Sequence, residues 1–276
     1  MRDFSLGRLR QQVNFLRRQF LQEGSLPLAN ILSEDVIAPA LESICSWKDR
    51  IYTPLVTLWV FLGQVLSADH SCRAAVSRLI THRLAQGQSA WSSQTGAYCQ
   101  ARQRLPEKFF SMMACLVGRR LDAKSEAGWP WKGRRVYLFD GTTVSMPDTA
   151  ENQQAYPQTY NQKPGLGFPI ARSAAVFSLA CGAVLDLRIC RYAGKGQSEL
   201  GMLRMLWNLF QPGDVMLADR LMCSWTEMVM LKQRGVDCVC RFTSHRTTDF
   251  RRGRRLGTDD LLSNGSSRRN PVPSTA

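Results

Sequence analysis

A helical N-terminal region followed by a mixed α/β sheet is the architecture that this 276-residue sequence predicts. Three features point to it. Apolar residues recur at three- and four-residue spacing over residues 1–130, the signature of helices with one buried face. The breaker-rich joint Gly128-Trp129-Pro130-Trp131-Lys132-Gly133 then interrupts that pattern. Beyond it, short β-type runs first meet at a tight turn and later alternate with helical segments. That order requires antiparallel and parallel pairing within one five-stranded sheet.

The elements follow in order. Leu6, Leu9, Val13, Leu16 and Phe20 mark a first helix, with Arg8, Arg10, Arg17 and Arg18 mostly on its other faces. Ser33 before Glu34 and Asp35 reads as an N-cap with acidic residues in the first turn, where the helix dipole favours them. Pro54, pre-set for the first helical position, opens a helix to Leu66. Cys72–Ala85, Ser93–Arg104 and Pro106–Leu121 follow. After the joint, Val136–Phe139 is a strand ending in Asp140, and Asp148–Gly167, holding Pro157, Pro164, Gly165 and Gly167, reads as a long loop. Ala171–Ala180 and Ala183–Tyr192 form two strands around Cys181-Gly182. A helix from Glu199 to Phe210 stops at Pro212-Gly213, and a strand then runs to Asp219. Ser224–Lys232 and Val236–Phe242 supply the last helix and strand.

Composition narrows the function. The chain carries 36 Lys plus Arg against 22 Asp plus Glu, a net charge of +14, with Arg predominating. An apolar content of 44% excludes a wholly disordered chain. The charge points to a polyanionic partner without specifying any sequence readout, and Arg suits phosphate because its planar fork donates two hydrogen bonds at once. Arg102 and Arg104 at a helix end, and the cluster Arg251, Arg252, Arg254 and Arg255, are candidate contacts. For the first run a solvated helix face is the default reading, and the second reads equally as a solvated, unstructured run. Nine Cys scattered through apolar stretches, with no basic-then-apolar leader pattern, point to free thiols in a reducing cytoplasm. Cys238 and Cys240 share one face of a strand, and with His70, His82 and His245 far apart no zinc site is expected. The uncharged stretch Ile51–Ala68 holds Thr53, Pro54, Gly63, Gln64 and Ser67; it is read as a buried helix and not as a membrane span.

Two acids stand out. Asp140 and Asp219 each follow an apolar strand, at the end where open α/β sheets place their active sites. An acid there is costly unless it is solvated, paired or bound to a cation. Asp140-Gly141 is also a common turn pair, so turn chemistry stands beside the functional reading. On strands that lie side by side, the two carboxylates are hard oxygen ligands suited to Mg²⁺ or Mn²⁺.

With these residues in view, the chain resembles transposases of the insertion-sequence-four family, which carry a DDE-type catalytic domain on an RNase H-like fold. The likeness runs from about Ser93 to Asp260 and rests on an ordered series of motifs. These are Phe139-Asp140-Gly141-Thr142-Thr143-Val144-Ser145-Met146-Pro147-Asp148-Thr149, Tyr156-Pro157-Gln158, Gly165-Leu166-Gly167-Phe168-Pro169 and Gly194-Lys195-Gly196-Gln197-Ser198-Glu199. Pro212-Gly213-Asp214, Ala218-Asp219-Arg220 and the basic stretch from Asp249 to Gly257 continue it. The resemblance implies that Asp140 and Asp219 are the first two catalytic acids. They would be ligands for Mg²⁺, with Mn²⁺ as substitute, in cutting and joining DNA strands. Arg220, beside the second acid, joins the candidate DNA contacts. Double-stranded DNA, both transposon ends and target, is the implied partner. Pairing of two ends implies a homodimer, and a nucleoid-associated cytoplasmic location follows. Residues 1–130 become the end-binding helical region, 131–260 an incomplete RNase H-like catalytic domain and 261–276 a disordered tail.

The departure from the family matters as much. Its third acid comes from a Tyr-x-x-Arg-x-x-x-Glu pattern on a later helix, and no residues after Asp219 form that pattern. Glu227 comes too early, Asp237 opens a strand, and Asp259 and Asp260 fall in a basic loop-like region. The expectation is a truncated, inactive copy, with one sheet face left partly uncovered. Two alternatives stand beside it. One is a catalytically silent DNA-binding protein that inhibits the full-length transposase; the other is a metal-dependent nuclease that completes its site with another acid.

Overall fold

The computed structural model describes residues 32, 34–47, 50–125, 129–161, 163, 165–222, 224–241, 253–257 and 261–262. Five helices come first: α1 (Glu34–Glu42), α2 (Pro54–Val65), α3 (Cys72–Ala85), α4 (Gly96–Gln103) and α5 (Glu107–Ala123). Their starts are chemically determined. The Thr53 hydroxyl accepts from the Val56 N–H with Pro54 just inside α2, and the Ser71 hydroxyl accepts from the Ala74 N–H at α3, each satisfying a donor that the helix leaves unpaired. Ile37, Leu41, Leu55, Leu58, Trp59, Phe109 and Met113 bury together between α1, α2 and α5. Val60, Ala75, Val76 and Tyr98 form a smaller core beneath α3 and α4. The uncharged segment thus becomes the buried helix α2, and no helix among the described residues is long and apolar enough to cross a membrane. The expected helix over Leu6–Phe20 and the Ser33 cap lie outside the described residues.

The rest of the chain builds a five-stranded mixed sheet. Its strands are β1 (Val136–Ser145), β2 (Ile170–Ser178), β3 (Val184–Arg191), β4 (Val215–Ala218) and β5 (Asp237–Cys240), in the spatial order β3-β2-β1-β4-β5. β2 lies antiparallel to both β1 and β3, whereas β4 lies parallel to both β1 and β5. The turn between β2 and β3 uses Gly182 at φ 70°, a left-handed conformation that glycine adopts without steric penalty. A short helix α6 (Ala150–Ala155) joins β1 to β2, α7 (Glu199–Leu206) joins β3 to β4, and α8 (Trp225–Gln233) joins β4 to β5. Tyr137, Phe139, Ala174, Val176, Met216 and Ala218 face α7 and α8, burying with Met202, Leu203, Leu206 and Leu231. On the other face, Phe177, Leu138, Leu217 and Val239 stand in cross-strand register. Phe177, Leu138 and Leu217 are half-buried and Val239 is 50% exposed.

The helices and the sheet meet through α5 and β3. A Cβ at Gly118 would lie 1.9 Å from the Val184 carbonyl oxygen, so the two backbones approach where only glycine fits. Buried Asp122 at the end of α5 accepts from the Ser178 hydroxyl at 2.6 Å and the Tyr137 hydroxyl at 3.1 Å, and pairs with Arg135 at 3.1 Å.

Four local readings are corrected. β1 does not stop at Asp140 but continues to Ser145, because β2 pairs with it as far as Ser145 opposite Ile170. The loop expected over Asp148–Gly167 contains α6, which the Thr149 hydroxyl caps by accepting from the Asn152 N–H. The helix from Glu199 tightens into a 3-10 turn over Trp207–Leu209 before Pro212. Leu261–Leu262, at the start of the expected tail, pairs antiparallel with Arg254–Arg255.

Candidate functional site

The strand register determines where the two acids lie. Parallel pairing sets Phe139 opposite Ala218, so Asp140 and Asp219 are the next residues on neighbouring strands, where β4 ends and β1 continues. Phe139 and Ala218 point into the α7–α8 core. Strand alternation therefore directs Asp140 to the opposite, open face. Both Asp140 and Asp219 are exposed. Gly141 lies inside the β1–β2 ladder opposite Ala174, so Asp140-Gly141 is not a turn. The Gly141 N–H donates to Asp140 Oδ1 at 2.8 Å, and the Arg220 N–H donates to Asp219 Oδ1. Neither carboxylate has an ion-pair partner among the described residues.

These donors fit a hard divalent cation in type: two solvent-facing carboxylates, each with one oxygen engaged by the backbone N–H of the next residue. They are few, however. Among the described residues no group of three or more His, Cys, Asp or Glu side chains is arranged to hold a metal ion. Glu227 is 1% exposed and is bound to Arg204 and Ser224, so it braces α8 against α7. Asp237 pairs with Arg134 at 2.7 Å. Asp259 and Asp260 lie outside the described residues.

One acid near the site enters the sequence reading only as part of a motif. The Glu199 side chain packs against Gly141, where an added Cβ would come within 3.0 Å of its Cγ and Cδ. Glu199 opens α7 and so reaches β1 from the helix-covered face. Its place in the Gly194–Glu199 motif was the available signal; its contact depends on how α7 crosses β1, which spacing does not encode. Cys240, paired with Ala218, is a second neighbour. The Cys238 thiol at 3.0 Å draws the Cys240 pKa down, against burial and the charge of Asp219, which push it up.

The candidate DNA contacts divide. Arg102 is half-buried, its guanidinium 5.7 Å from the ring centroids of both Phe61 and Tyr98 and 3.3 Å from Gln64 Oε1; it holds α4 to α2. Arg104, Arg220, Arg254 and Arg255 are exposed. Arg251 and Arg252, like Arg8, Arg17 and Arg18, lie outside the described residues. No family model matches the chain, and a search of curated proteins finds no match.

Proposed function

We propose that this chain is a DDE-type transposase of the insertion-sequence-four family that carries two of the three acids. It binds double-stranded transposon-end DNA, and among the described residues it supplies two of the three acids that cutting and joining strands calls for. The observation that carries this reading is the β1–β4 register, which sets Asp140 on β1 beside Asp219, the residue that follows β4, both solvent-exposed. The strand order β3-β2-β1-β4-β5, antiparallel on one side of β1 and parallel on the other, supports an RNase H-like sheet. Asp140 and Asp219 are the residues that would hold Mg²⁺ or Mn²⁺. A bound ion there supplies charge stabilisation to the attacking and leaving oxygens of a phosphodiester. Arg220, next to the second acid, is placed to meet a backbone phosphate, and pairing two DNA ends calls for two copies of the chain.

The test is Mn²⁺ titration by calorimetry, with fold checked by circular dichroism. Weak binding of one ion that disappears in Asp140→Asn and in Asp219→Asn is the expected result. Undiminished binding in either variant, or Mg²⁺-dependent DNA cleavage that survives loss of either Asp, overturns the assignment. The lack of a third suitable acid among the described residues favours a second reading: DNA occupancy without cutting, which inhibits a complete transposase. Addition of this chain to an active transposase reaction would then slow it in proportion to the ends occupied.

A further inference from the structure

A cleft of about 120 Å³ opens between the α1–α2 connection and α4, away from the carboxylates. Trp47, Arg50 and Tyr52 line it from the connection, and Ala97, Gln100 and Arg104 from α4. At about 30 Å³ per water, the space equals about four waters, so it admits one planar ring system but not a whole cofactor. Its floor is apolar, with Ile44, Pro54 and Leu105. The two guanidiniums belong to exposed residues, and no carboxylate lines the cleft among the described residues.

Aromatic rings beside a ring-sized space, with two cations and, among the described residues, no anion around it, match one ligand chemistry: a flat heteroaromatic base attached to a phosphate. Stacking on aromatic rings and charge-assisted bonds from Arg to phosphate oxygens are the two terms by which proteins hold unpaired nucleotides. A paired base would be kept out, because its edge and neighbours are occupied within the duplex. We propose that this cleft binds one unpaired nucleotide of a DNA strand, with the base between Trp47 and Tyr52 and the flanking phosphate at Arg50 and Arg104. The assignment stands on the cleft alone and adds to the helical region a preference for unpaired or frayed DNA.

The experiment is fluorescence anisotropy on the full chain at fixed salt. A labelled single strand, the same strand with abasic sites, and a duplex of equal phosphate count are compared. The intact single strand should bind about 10-fold more tightly than the abasic one, the size expected for one stacked base. Ala97→Trp, which fills the cleft from an exposed position, should remove that advantage and leave duplex binding within about twofold. Arg104→Gln should weaken the intact and abasic strands alike. Equal affinity for intact and abasic strands in the unmodified chain, or an undiminished advantage in folded Ala97→Trp, overturns the proposal. Asp140→Asn should keep the advantage, so loss of base recognition and loss of Mn²⁺ binding are read separately.

Discussion

Gly118→Ala sets two well-known effects against each other. In a helix interior, alanine is favoured over glycine by about 1 kcal/mol, through backbone entropy and intrinsic propensity. Gly118 lies in the 17-residue α5, so propensity alone predicts a more stable protein. Packing predicts the reverse. The added Cβ would meet the Val184 carbonyl oxygen at 1.9 Å and its carbon at 2.9 Å, both backbone atoms of β3. Relief to ordinary contact at 3.4 Å means moving α5 about 1.5 Å from the sheet. A gap of even 0.5–1 Å forfeits a quarter to a half of each contact's attraction, and the shift also strains the Cys115–Asp186 bond, 3.4 Å long. Overpacking of this kind costs about 3 kcal/mol; set against the gain of about 1, the net is a loss of about 2 kcal/mol. Urea unfolding of wild type and variant under identical conditions reads it directly, as a lowered midpoint at unchanged slope. A raised midpoint would mean that α5 does not approach β3 through Gly118, and the docking of helices on the sheet would have to be redrawn.

Three further outcomes follow from the same structure. DNA affinity should fall linearly on a log–log plot against salt, and replacing Arg254 and Arg255 with Gln should reduce the slope by about 2 if both meet phosphates; a slope near zero in the unmodified chain would refute charge-driven binding. Burial raises the Asp214 pKa, an effect that the Gln211 N–H bond and Arg135 oppose, so the folded state holds this proton more tightly than the unfolded chain does. Stability linked to Asp214 is therefore present at low pH and lost as pH rises from the ordinary carboxylate range through the raised value. Relative to wild type, Asp214→Asn should gain stability between pH 4 and pH 7; a difference independent of pH would refute this. Burial, with Asp186 beside it, pushes the Cys115 thiol up to about 11, whereas Cys240 is drawn down by Cys238. Maleimide labelling at pH 8, followed by peptide mass spectrometry, should modify Cys240 before Cys115.

Elements with local chemical punctuation were legible. Pro54 and Ser71 set the starts of α2 and α3, and Cys181-Gly182 set the hairpin. Pro212-Gly213 set the end of the α7 segment. The alternation of strands and helices then yielded the mixed sheet. What escaped was set by distant partners. Nothing apolar marks Gly141-Thr142-Thr143 as strand; β2 recruits it by backbone pairing, and so Asp140 lies inside its strand and not at its end. The Thr149 cap was masked by the prolines and glycines that follow it. Arg102 looked like a solvated cation because its rings, Phe61 and Tyr98, come from another helix and another turn. Within the site, the identity of the two acids was readable but their juxtaposition depends on parallel pairing across more than seventy residues, which only the order of elements hints at.

With Asp140 inside a β-ladder, turn formation no longer accounts for it, and Asp219 follows a strand that has already ended. Asp140 and Asp219 each follow a paired residue on neighbouring strands, and like charges so placed repel and destabilise a sheet. No Lys or Arg among the described residues forms an ion pair with either acid to offset the repulsion, although the chain as a whole carries an excess of 14 positive charges. In so basic a protein, two adjacent unpaired acids are an exception that folding alone does not require. A cation shared between them would turn the repulsion into attraction, and neutralising either acid would relieve it without a cation. Asp140→Asn and Asp219→Asn should therefore each raise stability modestly in the presence of chelator, and each should abolish the further gain that Mn²⁺ gives the unmodified chain. If both variants instead lose stability in chelator, the acids serve the fold through their own bonds to Gly141 and Arg220, and the metal reading fails.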